Sequence, residues 1–120
     1  MTPFGERVRA FRRERGLSLK RMAADLQISA AYLSALEHGH RSRPSFALVQ
    51  QICAYFHIIW DEAEELQRLA ELSHPRVVID TAGLSAKATE LANRLAETIA
   101  ELPEPRVAEL LQQLGYPRLR

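Results

Sequence analysis

Residues 16–39 read GLSLKRMAADLQISAAYLSALEHG, and this stretch decides the fold of the chain. Ser18 and Ser29 each precede a short amphipathic run, where a serine hydroxyl commonly caps the first turn of a helix. Only Gln27 and Ile28 separate the first run from the second cap. Gly39 follows the second run and suits the left-handed residue that often ends a helix. The stretch therefore predicts two short helices joined by a tight turn.

A first helix is predicted before this pair and two more are predicted after it. Thr2-Pro3 is a favourable helix start, and apolar residues follow it at helical spacing, at Phe4, Val8 and Phe11. Ser45 begins a fourth helix whose expected core side is Phe46, Val49, Ile52, Cys53 and Phe56. A fifth starts near Asp61-Glu62, with Ala63, Leu66, Leu69 and Ala70 inward. We therefore predict a compact unit of five helices over residues 1–72, with Trp60 packed at the junction of the last two.

Residues 73–120 follow a different pattern. SHPRVVIDTAG at 73–83 interrupts the helical spacing, and its three β-branched residues are too few to predict a strand. From Ser85 we expect a helix up to Leu102, a break at Pro103 and Pro105, and a last helix over 106–114. These two helices carry apolar side chains at helical spacing, at Ala88, Ala92, Leu95, Ile99, Leu102, Val107, Leu110, Leu111 and Leu114. The chain is thus expected to be all-α, a five-helix unit followed by a short helical extension.

Composition narrows the class of protein. The chain has 120 residues, of which 47% are hydrophobic and 26% are charged, as in ordinary globular proteins. No apolar run approaches the roughly 20 residues that span a bilayer, and the N-terminal stretch lacks the apolar run of a signal peptide. The single cysteine, Cys53, cannot form an internal disulfide, which favours a cytoplasmic protein. We expect no membrane association.

Charge is divided unevenly along the chain. Residues 1–60 contain nine Lys and Arg against four Asp and Glu, whereas residues 61–120 contain seven against eleven. Such asymmetry indicates a first half that meets a polyanion and a second half with another role. Two ordinary solvated surfaces would give the same counts.

Catalytic and metal-binding patterns are missing from the sequence. It has no glycine-rich phosphate loop, no nucleophilic serine motif and no paired carboxylates in a plausible cleft, so we predict that the protein is not an enzyme. His38 and His40 lack the three or four converging ligands of a zinc site. We expect no metal and no cofactor.

The helix pair and its surroundings resemble the Xre family of lambda-repressor-like helix-turn-helix transcriptional regulators. The resemblance covers roughly Pro3 to Leu72 and rests on Gly16-Leu17-Ser18, Met22-Ala23, Ile28-Ser29, Leu33-Ser34, Leu36-Glu37, Gly39 and Pro44-Ser45. It implies a five-helix lambda-repressor-like domain over residues 1–72 that binds double-stranded DNA, usually as a homodimer. Residues 73–120 lie outside the resemblance and form a helical extension, whose apolar stripe favours a role in dimerisation. Gln27 departs from the glycine that the family often has in the turn.

The resemblance also assigns roles to individual residues. It implies that the helix at 29–38 enters the major groove and that its base-reading face comprises Ala30, Ala31, Tyr32, Ser34 and Ala35. Arg12 and Glu37 match a structural ion pair between the first and third helices. Alanine cannot form a hydrogen bond with a base edge, although its methyl group packs on thymine. We therefore expect modest direct readout and a large share of the affinity from phosphates and DNA shape.

Phosphate contacts are expected on both sides of this helix. The candidates are Ser18, Lys20 and Arg21 before it, and His38, His40, Arg41 and Arg43 at its end and in the following loop. Arg41 and Arg43 have a second interpretation as minor-groove contacts, and each candidate has a third as an ordinary surface residue. The rival function is a protein-interaction module, such as an antitoxin or adaptor, on a helix-turn-helix scaffold.

The apolar side chains of the extension form a stripe that must be shielded from water. It either folds back on the first domain or pairs with the same stripe of a second subunit, and we favour pairing through Leu95, Ile99, Leu102, Leu110, Leu111 and Leu114. The acidic second half is expected to face away from DNA in both cases.

Overall fold

The computed structural model describes residues 1–115, and within this range the chain is helical and has no strand. The helices are α1 (Pro3–Arg15), α2 (Leu19–Leu26), α3 (Ala30–His38), α4 (Phe46–Phe56), α5 (Trp60–Glu71), α6 (Ala86–Thr98) and α7 (Glu104–Leu114), with a 3₁₀ turn at Ile99–Glu101. The prediction of an all-α fold is confirmed. No helix in this range is long and apolar enough to cross a membrane.

Helix starts follow the capping rules. The hydroxyls of Thr2, Ser18, Ser29, Ser45 and Ser85 each accept a hydrogen bond from a backbone amide in the first turn of the helix that follows. These are the caps that the sequence predicts, and they satisfy amides that have no partner inside the helix. Local sequence therefore sets where these five helices begin.

The chain forms two compact units, of which the first is Met1–Val77. In it α1 packs against α3 and α5, α2 against α3 and α4, and α4 against α5. The buried apolar side chains come from all five helices and from Ile58 after α4, and the bulkiest are Phe4, Phe11, Met22, Leu33, Ile52, Phe56 and Leu66. This core holds α2 and α3 in a fixed mutual orientation.

Contacts with Glu37 of α3 and with Ser73 after α5 join α1 to the rest of the first unit. A Cβ at Gly5 would lie 2.2 Å from the Glu37 carbonyl oxygen, so only glycine lets α1 approach α3 this closely. The same carbonyl oxygen accepts a hydrogen bond from the Thr2 amide, with N and O 2.9 Å apart. Beyond α5, the buried Ser73 hydroxyl accepts from the Phe4 amide at 3.0 Å. The compact unit therefore extends past Leu72, because Ser73 is hydrogen-bonded into it.

Two aromatic residues lie elsewhere than predicted. Phe46 was expected in the core stripe of the fourth helix, and Trp60 was expected to pack at the junction of α4 and α5. Their exposed fractions are 65% and 81%, so both predictions are wrong. Phe46 is the first residue of α4 and Trp60 the first residue of α5. Trp60 has φ 54°, outside the helical range, so helical spacing does not apply to its side chain.

The second unit begins at Val78. The helix expected from Ser85 to Leu102 is shorter in the structure. There α6 ends at Thr98, and a 3₁₀ turn follows it. Pro105 does not break the last helix but lies in its first turn, where a proline needs no amide partner. No residue of α6 or α7 is buried. Exposed fractions reach 54% at Ile99, 43% at Leu111 and 78% at Leu114.

Candidate nucleic-acid interface

The α2–α3 pair is joined by a turn of three residues, Gln27 to Ser29. Gln27 has φ 61° and ψ 40°, a left-handed conformation, and its amide donates to carbonyl oxygens at the end of α2. The Ile28 amide donates to the Ala23 carbonyl oxygen at 3.0 Å. Ser29 then caps α3 by accepting from the Tyr32 amide at 3.0 Å. The tight turn predicted from the sequence is thus built with a glutamine in the left-handed position.

The buried pair Arg12 and Glu37 fixes α3 against α1. Arg12 donates from Nη1 to Glu37 Oε2, and from Nη2 to Glu37 Oε1 at 3.2 Å. The exposed fractions of the two residues are 6% and 0%. Arg12 also lies 3.7 Å from the Met22 sulfur of α2. One guanidinium therefore contacts both helices of the α2–α3 pair from α1.

The five residues assigned to base reading differ in exposure, and Ala30 and Tyr32 also pack against the core. Ala31 is exposed, and Ala30, Tyr32, Ser34 and Ala35 are half-buried. The His38 ring is tied to the helix, since its Nδ1 lies 2.9 Å from the Ser34 carbonyl oxygen. The exposed surface of the first turn of α3 therefore consists largely of small side chains.

The residues predicted to contact phosphate differ in their exposure and in their contacts with the rest of the protein. Ser18 uses its hydroxyl to cap α2, where it accepts from the Arg21 amide at 3.0 Å. Lys20, Arg41 and Arg43 are exposed. The rings of His38 and His40 stack with centroids 6.3 Å apart. The Arg41 guanidinium lies 5.4 Å from the ring centroid of Tyr32, so a loop residue and a residue of the first turn of α3 are in contact.

Arg21 belongs to a polar group that the sequence analysis missed. Its Nε lies 3.1 Å from Asp25 Oδ2, and the Tyr55 hydroxyl of α4 donates to the same oxygen at 2.7 Å. The hydrogen bond from Tyr55, followed by that from Arg21, holds the pKa of Asp25 below its ordinary value. The spacing of Arg21 and Asp25 is the usual i,i+4 pair of a helix and was readable. Tyr55 was not readable, because it comes from a distant part of the chain.

Potential metal ligands do not converge in the described part of the chain. Within residues 1–115 no group of three or more His, Cys, Asp or Glu side chains has metal-binding geometry. Cys53 is buried, and its burial raises the pKa of its thiol. A neutral, enclosed thiol is suited to packing and not to nucleophilic chemistry.

Comparisons with known proteins find similarity to helix-turn-helix transcriptional regulators. A family model described as a helix-turn-helix domain matches residues 3–66. The HTH-type transcriptional regulator SinR of Bacillus subtilis is 29% identical over 91 residues, which are 69% of this chain and 82% of SinR. No solved structure matches the chain significantly.

Two further relatives match a shorter part of the chain. The HTH-type transcriptional regulator DdrOP3 of Deinococcus deserti is 47% identical over 53 residues. The uncharacterized HTH-type transcriptional regulator RghRB of Bacillus subtilis is 33% identical over 61 residues. The chain spans 40% of the length of DdrOP3 and 44% of RghRB.

Proposed function

The chain belongs to the Xre-like helix-turn-helix family, and from this premise we propose that it is a sequence-specific DNA-binding transcriptional regulator that acts as a homodimer. In this proposal α3, with its cap at Ser29, lies in the major groove, and the DNA-binding domain is the first compact unit, Met1–Val77, instead of the 1–72 expected from the sequence. The activity is binding to double-stranded DNA in the cytoplasm, with no enzymatic step and no cofactor.

One observation carries the proposal. The first turn of α3 presents small side chains, and cations lie on both sides of it, with Lys20 and Arg21 on α2 and Arg41 and Arg43 after α3. Small side chains let a helix approach the groove floor, and flanking cations reach the phosphates on either side of the groove. Ser18 caps the start of α2, and Lys20 is the second residue of that helix. The dipole of a helix favours an anion at its N-terminus, so a phosphate would be attracted there.

The homodimer is assigned to the second unit. Its helices leave Leu95 and Leu110 half-buried and Leu111 and Leu114 exposed, so an apolar stripe lacks cover within the described residues. A second copy of the same stripe would cover it and would hold two α3 helices for two half-sites, about 34–36 Å apart. Linking two weak sites in this way multiplies the affinity for the whole site.

The salt dependence of binding tests DNA recognition directly. Lys20, Arg21, Arg41 and Arg43 from two subunits supply about eight cationic contacts, so the slope of log affinity against log salt should be about −7. The measurement is a titration of a fluorescent duplex, selected from random DNA by the full chain, at a series of NaCl concentrations. A slope shallower than about −2 would contradict the proposal.

A pair of variants localises the contacts. Arg43→Ala removes one cation per subunit and should reduce the slope by about 2 in magnitude. Lys87→Ala, in the second unit, removes the same charge from a residue to which the proposal gives no DNA contact, and it should leave the slope unchanged. Equal slopes for the two variants would show that Arg43 does not contact phosphate.

A protein-interaction role is a second candidate, and the exposed aromatic residues favour it. Phe46 and Trp60 line a groove of about 370 Å³ between α4 and α5 together with Asp61 and Glu64. Trp60 has φ 54°, which is unusual for a bulky side chain and is typical of functional positions. The carboxylates favour a basic protein segment with an apolar anchor. Retention on generic duplex DNA at low salt, lost as salt rises, separates the first candidate from this one.

A further inference from the structure

Few of the residues assigned to base reading on α3 have the chemistry that direct readout needs. Ala30, Ala31 and Ala35 carry only methyl groups, whereas distinguishing base pairs in the major groove requires donors and acceptors. If α3 is the recognition helix of the proposed function, the polar groups that read bases must come from Tyr32 and Ser34 or from another part of the chain. A side chain from outside α3 reaches this turn.

That side chain is Arg41. Gly39 ends α3 in a left-handed conformation with φ 79°, and the next amide, of His40, donates to the Ala35 carbonyl oxygen at 2.9 Å. The chain therefore turns back at the end of α3. The Arg41 guanidinium comes to rest over the ring of Tyr32, whose own amide is capped by Ser29 in the first turn. A residue that follows α3 thus places its charge beside the start of α3.

The donors of Arg41 are available. Among residues 1–115 its guanidinium forms no hydrogen bond and no ion pair, and its contact is with the face of Tyr32. A guanidinium stacked on an aromatic face keeps its N–H groups free at its edge. Arg21 differs, because its Nε is occupied by Asp25. Arg43 differs too, because no aromatic ring of the described residues supports it.

We propose that Arg41, held by the Tyr32 ring, reads a guanine in the major groove by donating to N7 and O6. This inference rests on the proposed function. It replaces the phosphate or minor-groove contact expected of Arg41 from the sequence, so about six phosphate contacts remain and the expected salt slope becomes about −5. Arg41 is the specificity-determining residue, and Tyr32 is a positioning residue that orients it. The recognised half-site therefore contains a guanine facing the first turn of α3.

Base analogues test the contact atom by atom. The probe is a duplex that the full chain selects from random DNA, remade with each guanine replaced in turn by 7-deazaguanine, which lacks the N7 acceptor, or by inosine, which lacks only the minor-groove amino group. We expect one 7-deazaguanine position per half-site to weaken binding by about 5- to 10-fold, the lower part of the range for a bidentate contact, because O6 still accepts a hydrogen bond. Inosine at that position should have little effect.

Variants assign the effect to Arg41. Arg41→Ala should bind the normal and the 7-deazaguanine duplexes equally. Arg43→Ala, the matched control, should weaken both duplexes alike and keep their ratio. Tyr32→Leu keeps an apolar contact with the core and removes the aromatic face, so it should reduce the ratio at least about threefold. Tyr32→Phe keeps the ring and should restore the ratio.

Each outcome decides the inference. If Arg41→Ala still distinguishes the two duplexes, or if inosine and not 7-deazaguanine weakens the wild type, Arg41 is not a major-groove reader. If Tyr32→Leu keeps the full ratio while circular dichroism shows a folded chain, Tyr32 does not position Arg41. Failure of the chain to select or bind any duplex would overturn the proposed function itself. Tight binding with no guanine requirement overturns only the reading by Arg41.

Discussion

Arg12 of α1 and Glu37 of α3 form a two-point ion pair that is closed off from solvent. Both Glu37 carboxylate oxygens accept from the guanidinium, and the exposed fractions of the two residues are 6% and 0%. The planar fork of arginine matches a carboxylate in a way that lysine cannot. The pair therefore fixes the position of α3 relative to α1, which makes it a structural element of the proposed interface and not a contact with DNA.

Removing one partner should be costly. Arg12→Ala leaves the Glu37 carboxylate buried without its counter-charge, and we expect the free energy of unfolding to fall by about 2–4 kcal/mol. Urea unfolding followed by circular dichroism measures this. Arg13→Ala, next in the chain and exposed, is the control and should change stability by no more than about 0.5 kcal/mol. Equal losses for the two variants would show that the buried pair contributes nothing specific.

The left-handed residue in the α2–α3 turn predicts a stabilising substitution. Gln27 has φ 61°, a conformation that costs an L-residue roughly 1–2 kcal/mol and costs glycine nothing. Part of this gain is offset by the greater freedom of glycine in the unfolded chain. Gln27→Gly should therefore raise the free energy of unfolding by about 0.5–1 kcal/mol in urea titrations.

The same substitution inside a helix is the control. Gln51 is exposed in α4, and Gln51→Gly should lower stability by up to about 1 kcal/mol, as glycine does in a helix interior. A stability loss with Gln27→Gly as well would mean that the turn does not adopt the left-handed conformation in solution.

The Asp25 carboxylate gives a prediction about pH. Its pKa is held below its ordinary value of about 3.8, first by the hydrogen bond from Tyr55 and then by Arg21. Tyr55→Phe removes that donor, so the pKa of Asp25 should rise towards the ordinary value in a carboxyl NMR titration. Because the folded pKa is the lower one, the stabilisation is present above pH 3.8 and is lost as pH falls through the folded pKa.

Asp25→Asn completes the test. The stability difference between the wild type and Asp25→Asn should be present at neutral pH and should shrink in acid. Since Arg21 would also lose its partner, this variant should bind duplex DNA more tightly at low salt. An unchanged Asp25 pKa in Tyr55→Phe would contradict the hydrogen bond.

The apolar stripe of the second unit gives a prediction about assembly. Leu95→Asp together with Ile99→Asp places two charges on that stripe, and the full chain should run as a monomer by light scattering. Its affinity for the selected site should fall by about two orders of magnitude or more, because the second half-site is no longer engaged in the same molecule.

A matched variant controls for charge alone. Asn93→Asp with Arg94→Gln makes the same change in net charge on other positions of α6 and should leave the chain dimeric. If the Leu95/Ile99 variant stays dimeric and binds as tightly as the wild type, the first unit dimerises by itself and α6 and α7 serve another purpose. A chain that ends at Val77 is the third comparison and should be a helical monomer.

Local rules in the sequence were sufficient for much of the fold. A hydroxyl before an amphipathic run specified five helix starts, because a cap satisfies amides only a few residues away. Helical spacing identified core residues such as Val8, Leu33 and Ile52, which are buried. The same rule failed for Phe46 and Trp60, the exposed first residues of α4 and α5. The boundary of the first unit moved past Leu72 because a hydrogen bond from Phe4 to Ser73 spans nearly the whole domain.

By itself the sequence determined the helices, the turn between α2 and α3, and the small side chains at the start of α3, all of which depend on residues near one another in the chain. Only the tertiary structure placed the Arg41 guanidinium over Tyr32 and the Tyr55 hydroxyl on Asp25. The first contact depends on how the chain turns back after Gly39, and the second on how α4 packs against α2. Such contacts follow from the packing of the whole core, which residue spacing along the chain does not encode.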